Sequence, residues 1–362
     1  MRSPIRLIYT DLAFLSRAGP QAFDYLTPID RAGNKGMKIQ ARGRHLSIAA
    51  HHLKLAPYAD CRHILNLDTI AEQVVRPRGL FWCRNFAMIY VDAALAPPRN
   101  DGQIKLHGPE GFAGMHAAGV LVAECLDALE DIVEPGLPTE AIDQFVLGFA
   151  RDHDAYPATL GYKGYTKSSC TSLNHVVCHG IPNEKPLRDG DIVNIDVTLI
   201  LDGWHGDSSR MYKIGNVKRA AERLVDVTQE ALMRGIAAIR PGATTGDIGY
   251  AIQEFAEGER CSVVRDFCGH GVGRLFHDVP NILHYGNPGD GTPLMPGMIF
   301  TVEPMINLGR PHVKVLSDGW TAVTRDRSLS AQFEHTVGVS ETGVEIFTLS
   351  PRDALQAQPD AR

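Results

Sequence analysis

The sequence predicts an α+β fold built from two related halves, because three short motifs occur twice in the same order along the chain. The motifs P-G-x-x-T-x-x-I, H-x-[I/V]-P-N and L-x-x-G-x-I stand at residues 135–142 and 241–248, 179–183 and 277–281, and 187–192 and 294–299. Related halves with a shared core usually pack about a pseudo-two-fold axis. Equivalent strands are therefore expected to bring Asp196 and Glu303 together, with His179 and His277 beside them.

Each half is predicted to begin with two helices. Apolar residues recur at three- and four-residue steps from Phe112 to Val133, a spacing typical of a helix with one buried face, and a Pro-Gly pair ends the run. Thr139 is predicted to cap a second helix, with acidic residues in its first turn. The repeat copies the pair, with an amphipathic stretch over residues 220–239 and a second helix opened by Thr245.

A β-hairpin is predicted to follow the helices of the first half. Residues 192–201 are rich in β-branched side chains, Asp202-Gly203 is a strong two-residue turn, and residues 204–212 form the return strand. A two-residue turn pairs position 198 with 207, so Asp196 and Asp207 become diagonal neighbours on one face, within roughly 8 Å. One hairpin thus supplies two converging carboxylates.

Four carboxylates and one histidine are candidates for a metal site. Two aspartates facing each other on a strand pair usually lie on a solvated surface, but Asp196, Asp207, Glu303 and Glu334 all stand within apolar, strand-like runs. In one cleft they would repel by roughly 4 kcal/mol per pair at about 4 Å, which two divalent cations would neutralise. His270, between glycines, completes a set of oxygens and one imidazole that favours Mn, Fe or Co.

Two more histidines and six soft or aromatic residues are candidates for substrate contacts. His179 and His277 occupy equivalent loop positions, and a near-neutral imidazole donates well to a carbonyl under attack. The six residues predict either an apolar pocket of thioether size or ordinary core packing, and the sequence does not separate the two. They are Tyr162, Tyr165, Cys170, Cys178, Phe276 and Trp320.

Six motifs together closely resemble the type I methionine aminopeptidases over about residues 104–350. They are Cys178-His-Gly-Ile-Pro182, Gly190-Asp-Ile-Val-Asn-Ile-Asp-Val-Thr198, His205-Gly-Asp207, Gly269-His-Gly-Val-Gly273, Phe300-Thr-Val-Glu-Pro304 and Ser328-Leu-Ser-Ala-Gln-Phe-Glu-His335. The resemblance implies the pita-bread fold, an antiparallel sheet with helices outside and a dinuclear metal site at its centre. It also implies removal of the initiator methionine from nascent polypeptides by a metal-activated hydroxide, with a small second residue preferred.

The resemblance further implies a role for each matching residue. The implied metal ligands are Asp196, Asp207, His270, Glu303 and Glu334, of which Asp207 and Glu334 bridge two ions and Glu303 doubles as general base. His277 would contact the substrate amide and His179 the reaction intermediate, while the six pocket residues hold the methionine side chain. The implied cofactors are two divalent ions, with Mn, Fe or Co favoured and Zn an alternative, together with a monovalent cation.

Two other functions compete with this interpretation. An X-Pro aminopeptidase or prolidase of the same fold would use the same five ligands, and a binding protein of this fold would have lost catalysis. The five ligands are all present, which favours an enzyme. Type I is favoured over type II because 33 residues separate His270 from Glu303, too few for the helical insertion typical of type II. His175 and Asp278 depart from the residues usual in the family.

Composition predicts a reduced, cytoplasmic setting and, with no apolar run of about 18 residues, no membrane span. Seven cysteines form no regular pattern and follow no signal peptide, so free thiols are expected. Residues 1–103 carry 14 basic against 8 acidic side chains and the remainder 22 against 34, which gives the net charge of −6. The arginines are scattered, so no nucleic-acid site is predicted. A monomer is expected, and a ribosome contact remains an open prediction.

Residues 1–103 match nothing in the family and are predicted to form a poorly structured extension ahead of the catalytic domain at residues 104–350. Translation is expected to start near Met88, and an arginine-rich transit peptide is the alternative. A zinc site from His51, His52, Cys61 and His63 is disfavoured by irregular spacing. Residues 351–362 are predicted to be a disordered tail.

Overall fold

The computed structural model of the chain describes residues 90–97 and 99–352, and the backbone at residues 23–28, 36–41 and 44–49. The chain divides into one unit at residues 1–85 and a second at residues 86–362. The described strands of the first unit are β1 (Phe23–Pro28), β2 (Gly36–Ala41) and β3 (Arg44–Ala49), which pair in that order as an antiparallel sheet. These strands lie within residues 1–103, for which the poor helical and strand periodicity of the sequence predicts a poorly structured extension.

Several predictions fall on residues that the structure does not describe. The expected start at Met88 and the four candidate zinc ligands lie outside the described residues, as does the expected tail beyond residue 352. They stay predictions.

Four of the described helices in the second unit lie where the periodicity predicts them. They are α1 (Pro109–Glu130), α2 (Thr139–Asp152), α3 (Arg219–Ala237) and α4 (Thr245–Gly258). The capping prediction for α2 is wrong, since Pro138 holds the N-cap position and no side chain caps the helix. Thr139 instead donates its hydroxyl to the carbonyl of Asn183 at 3.0 Å. The equivalent α4 has a capping box between Thr244 and Asp247.

The strands of the first half centre on one long hairpin. They are β4 (Tyr90–Asp92), β5 (Ile104–Leu106), β6 (Tyr156–Pro157), β7 (Cys170–Leu173), β8 (Val176–Cys178), β9 (Ile192–Leu201) and β10 (Trp204–Lys213). Strand β9 pairs antiparallel with β10, β6 and β7, whereas β4 and β5 form a separate parallel pair.

The hairpin has the predicted register. Leu201 pairs with Trp204, Thr198 with Asp207, and Asp196 with Ser209. Both turn residues have positive φ, 49° at Asp202 and 79° at Gly203, as a type I′ turn requires. Since side chains alternate along a strand, this register places the two predicted carboxylates of the hairpin on one face.

The second half has shorter strands that are divided among three sheets. They are β11 (Ser262–Val263), β12 (Gly269–Gly271), β13 (Asp278–Ile282), β14 (Ile299–Val302), β15 (Met305–Asn307), β16 (Val313–Val315), β17 (Ala322–Thr324), β18 (Ser330–Gln332), β19 (His335–Val339) and β20 (Val344–Ile346). The sheet orders are β13-β12-β14-β19-β20, β11-β15-β18, and β16-β17-β8, which includes a first-half strand.

The two halves repeat the same backbone hydrogen bonds. Gly136 N–H donates to the Leu187 carbonyl at 2.8 Å, and Gly242 N–H donates to the Leu294 carbonyl at 3.1 Å. The two glycines have matching positive φ, 99° and 86°. Leu187 and Leu294 are both buried, so each copy of the motif seats one leucine under its own helix pair. The predicted duplication is present in the structure.

The helices cover the sheets from outside. Helix α1 packs on β9 and β10, and α3 packs on β14, β15 and β18. Helix α1 is long and apolar enough to cross a membrane by length and composition alone, but 56% of its apolar window is buried inside the protein. That is weak support for a membrane span, because a helix in the core of a globular domain passes the same test.

Candidate functional site

The five predicted metal ligands come from different elements that meet at the centre of the sheets. Asp196 stands on β9, Asp207 on β10 and His270 on β12, while Glu303 follows β14 and Glu334 lies between β18 and β19. His270 Nε2 lies 3.7 Å from Asp207 Oδ2 and 3.6 Å from Glu303 Oε1. One donor atom each from Asp207, His270 and Glu334 lie within 4.8 Å of one another. This spacing suits donors that converge on a common cation.

These side chains open into a cavity of about 330 Å³. All thirteen residues predicted from the sequence line it: Tyr162, Tyr165, Cys170, Cys178, His179, Asp196, Asp207, His270, Phe276, His277, Glu303, Trp320 and Glu334. The cavity therefore joins the acidic cluster to the histidines and the aromatic residues. Of the two alternatives for the six soft and aromatic residues, the cavity favours a pocket wall.

Burial raises the pKa of all four carboxyls. The pKa of Asp196 rises to about 7, and those of Asp207, Glu303 and Glu334 rise well above their usual range, chiefly through burial and further through repulsion among the carboxyls. None of the lysine or arginine side chains that the structure describes forms a salt bridge with them. A set of buried and partly buried acids without basic partners fits cations, because only protons or metal ions neutralise it.

Neighbouring hydroxyl and amide groups orient the carboxylates. The Thr198 hydroxyl donates to Asp207 Oδ1 at 2.7 Å, and the Thr301 hydroxyl donates to Glu303 Oε1 at 2.8 Å. Gln332 Nε2 lies 3.4 Å from Glu303 Oε2. Such contacts fix the direction of the oxygen lone pairs around a metal. The donor set, of four carboxyls and one imidazole with no thiolate, fits a divalent ion with a preference for oxygen.

Two histidines line the same cavity as the acidic cluster. The His277 ring lies 4.2 Å from the His270 ring and stacks on Tyr162 at 5.2 Å. His179 has a left-handed backbone, φ 55°, and its ring lies 6.4 Å from Trp320. Burial lowers the pKa of His179 and brings that of His277 to about 3. Both imidazoles are therefore neutral at neutral pH.

The aromatic wall is held in place by its own contacts. The Tyr165 ring meets Trp320 edge to face at 5.0 Å, and its hydroxyl donates to the Ser169 carbonyl at 3.0 Å. Cys170 and Cys178 are buried, and burial raises the pKa of both thiols. Neutral thiols and aromatic rings make this side of the cavity apolar.

Comparison with known proteins identifies the family. The model of metallopeptidase family M24 matches residues 113–341. The chain belongs to this family. A methionine aminopeptidase of Rickettsia prowazekii is 59% identical over 251 residues, which are 69% of this chain and 96% of the relative. A methionine aminopeptidase of Escherichia coli K12 is 48% identical over 256 residues, 70% of this chain and 97% of the relative.

Solved structures agree with the M24 assignment. The crystal structure of the Rickettsia prowazekii methionine aminopeptidase superposes with a TM-score of 0.68 at 58% identity, covering 68% of this chain and 100% of that chain. A prolidase from Pyrococcus furiosus superposes at 0.54 with 20% identity, covering 67% and 65%. The second likeness concerns the fold alone. The α+β pita-bread fold predicted from the sequence is thus confirmed, and the chain is a metal-dependent hydrolase of peptide bonds.

Sequence reasoning missed several residues near the site of this M24 chain. Asp143, predicted only as an acidic residue in the first turn of α2, is buried and accepts hydrogen bonds from Ser168 N, Ser169 N and the Ser169 hydroxyl at 2.7–3.0 Å. It thereby braces the loop that carries Tyr165. His284 is buried against the backbone of Glu303. No motif marked either residue, since their importance depends on burial rather than on spacing.

Further cavity-lining residues were also absent from the prediction: Thr159, Lys163, Thr198, Asp266, Phe267, Cys268 and Met305. Phe267 and Cys268 directly precede the glycine-rich run around His270. Their position next to that run could have predicted that they line the cavity.

Proposed function

We propose that this chain removes the N-terminal methionine from new polypeptides, as a type I methionine aminopeptidase that prefers a small second residue. The observation that carries the proposal is one cavity lined by four carboxyls, two of them buried and two partly buried, together with three histidines and an apolar wall. The 59% identity with a relative named methionine aminopeptidase, over nearly all of that relative, supports the same substrate.

The five ligand candidates would hold two divalent ions, with Mn, Fe or Co favoured by the donor set and Zn as the alternative. Asp207, His270 and Glu334 each offer a donor atom within 4.8 Å of the others, so these three residues would hold the same ion. Ions bound there would act as Lewis acids that polarise the scissile carbonyl and lower the pKa of water. A monovalent cation is a further proposed cofactor.

The protein residues would divide the remaining chemistry. Glu303, with one carboxylate oxygen held by Thr301, would accept the proton of the attacking water. His277 and His179 are neutral, so they would donate N–H hydrogen bonds to the substrate amide and to the developing oxyanion.

The apolar wall would select the methionine side chain. A thioether is flexible and polarisable and packs well against aromatic rings and neutral sulfur. Tyr162, Tyr165, Phe276 and Trp320 would supply the rings, and Cys170 and Cys178 the sulfurs. A small second residue is favoured if the remaining space is occupied by the peptide backbone.

The cellular setting is proposed on composition. We place the chain in the cytoplasm as a monomer, with residues 104–350 as the catalytic domain, residues 1–103 as an extension and residues 351–362 as a tail. The five described cysteines are free, in line with a reducing compartment. Nascent chains are the proposed partners, and the ribosome is a proposed contact.

A peptide panel tests the proposal. Purified protein is incubated with Met-Ala, Met-Lys and Ala-Pro peptides, with and without a chelator, and released amino acids are measured. We expect methionine release from the Met-Ala peptide, much less from the Met-Lys peptide, and loss of release with the chelator. Cleavage of the Ala-Pro peptide alone would move the assignment to an X-Pro aminopeptidase. Metal binding with no cleavage would identify a binding protein instead.

A further inference from the structure

The chain changes sheets at Glu303, and this leaves a backbone donor to be satisfied. Strand β14 ends at Val302 and pairs with β12 and β19, whereas β15 begins at Met305 and pairs with β11 and β18. Glu303 lies in the gap between the two ladders. Its N–H therefore has no strand partner in either sheet, although the residue is surrounded by protein.

The same change of sheet occurs at Glu334, between β18 and β19. There the N–H donates to the Ser209 carbonyl at 3.0 Å, so a backbone group of the other half fixes the residue. At Glu303 the acceptor is a side chain, Nε2 of His284, at 3.1 Å. By contrast Asp196 stands inside the ten-residue strand β9, between Cys170 and Ser209, and needs no separate anchor.

His284 is well suited to hold this position. It is 1% exposed, and its Nε2 lies 3.1 Å from the Glu303 amide nitrogen. Because Nε2 accepts a hydrogen bond, it carries no proton and the ring proton is on Nδ1, which is buried and has no hydrogen-bond partner among the described residues. The His284 ring accepts a hydrogen bond from Glu303 but leaves its own Nδ1–H unsatisfied. An apolar residue of similar size would bury no unsatisfied polar atom, so the hydrogen bond to Glu303 is what a histidine adds at this position.

His284 holds the backbone of Glu303, and Thr301 holds the carboxylate at the end of the same side chain. Thr301 donates its hydroxyl to Glu303 Oε1 and accepts from the His270 N–H at 3.1 Å. A shift of the backbone at Glu303 would move Oε1 relative to His270 Nε2, which lies 3.6 Å away. Small displacements of this kind weaken metal binding and reaction geometry.

We propose that His284 is a positioning residue that fixes the backbone of Glu303 and so aims its carboxylate at the metal-binding cluster. The inference rests on the proposed function, which makes Glu303 a ligand and general base. His284 itself touches neither substrate nor metal in this assignment.

Three variants of the full chain test the proposal: His284→Gln keeps an acceptor near the Nε2 position, His284→Leu removes it, and Ile282→Val is a control. Ile282 is fully buried two residues away. For each variant kcat, KM, Mn²⁺ affinity by calorimetry, melting temperature and hydrogen exchange at the Glu303 amide are measured.

We expect His284→Leu to lower kcat and Mn²⁺ affinity at least tenfold, leave KM within twofold and speed exchange at the Glu303 amide. His284→Gln should recover most of each loss, and Ile282→Val should lower the melting temperature alone. Equal losses in the Gln and Leu variants, or wild-type values in the Leu variant, would overturn the proposal.

A second substitution keeps the test decisive if His284→Leu does not fold. His284→Asn has an acceptor too short to reach the amide, so it should behave as the Leu variant is expected to, and wild-type behaviour would count against the proposal. Failure of the wild-type chain to release methionine, with Mn²⁺ affinity still dependent on position 284, would refute the proposed function and leave the positioning role intact.

Discussion

Glu334 and Ser209 join the two halves of the molecule at the acidic cluster. The Glu334 N–H donates to the Ser209 carbonyl at 3.0 Å, and the neighbouring Ser208 hydroxyl donates to the Glu334 carbonyl at 2.6 Å. Ser209 is directly opposite Asp196 in the hairpin. One backbone bridge therefore sets the distance between a carboxylate of the first half and one of the second.

Replacing Asp207 with asparagine should weaken metal binding at least tenfold, or about 1.4 kcal/mol, and abolish most methionine release. The amide keeps the size of the side chain and the contact with Thr198 but removes the negative charge that a cation needs. Calorimetry with Mn²⁺ and a Met-Ala assay measure the two effects. Asp226→Asn, an exposed position on α3, is the control, and full metal occupancy with normal turnover in Asp207→Asn would contradict the ligand assignment.

The metal-free protein should lose stability as pH rises above about 6.5. The pKa of Asp196 is raised from 3.8 to about 7, so the folded form holds a proton that the unfolded form has released, and its contribution is complete below about pH 4 and lost through pH 7. The pKa values of His270 and His277 are lowered, to about 4 and 3. These two residues make the folded protein more stable as pH rises, but only up to about pH 6.5.

Urea unfolding of chelated protein between pH 6.5 and 8.5 measures this loss, and Asp196→Asn isolates the part due to one carboxyl. The variant should show a smaller decrease in the free energy of unfolding over this range. An identical pH slope in both proteins would show that Asp196 is ionised in the folded metal-free chain.

Trp320→Ala should raise KM for a Met-Ala peptide about tenfold and change kcat less, because the ring contributes binding that is similar in the ground state and the transition state. The substitution removes a wall of the cavity that rests on Tyr165. Steady-state kinetics give the two constants. Tyr156→Ala, at a residue that is 52% exposed, is the matched control, and a loss confined to kcat would place Trp320 outside the methionine pocket.

Two glycines on neighbouring helices should respond to alanine with opposite signs. A Cβ on Gly119 of α1 would lie 2.7 Å from the carbonyl carbon of Phe347, whereas one on Gly148 of α2 would meet no atom of the described residues within 4 Å. Gly119→Ala should destabilise the fold by about 1–3 kcal/mol through overpacking, and Gly148→Ala should stabilise it by about 0.5–1 kcal/mol through helix propensity. Thermal unfolding measures both effects. Equal changes in melting temperature for the two variants would contradict the packing of α1 on residue 347.

Local sequence patterns predicted the elements and much of the candidate site. The Asp202-Gly203 turn specified the register of its hairpin, because a two-residue turn with positive φ at both positions leaves one pairing. The repeated motifs predicted the two halves, and the cavity unites every residue that they and the family resemblance marked.

The same reasoning failed where one half departs from the other. His284 has no counterpart in the first half, since the position equivalent by the histidine motif is Pro186. The residue that caps α4, Thr244, is replaced by Pro138 in the first half, so α2 has no side-chain cap. Thr139 bonds to the loop at Asn183, as Thr245 bonds to Thr292, and both contacts are distant in sequence.

The sequence by itself determined which chemical groups are present, how they alternate along strands and which segments are copies of each other, because spacing and turn chemistry are local properties. Only the tertiary structure decided how deeply each group is buried and what it meets. Burial raises the pKa of the four carboxyls, and the change of sheet at Glu303 creates the need for His284, since desolvation and backbone hydrogen bonding depend on segments far apart in the chain.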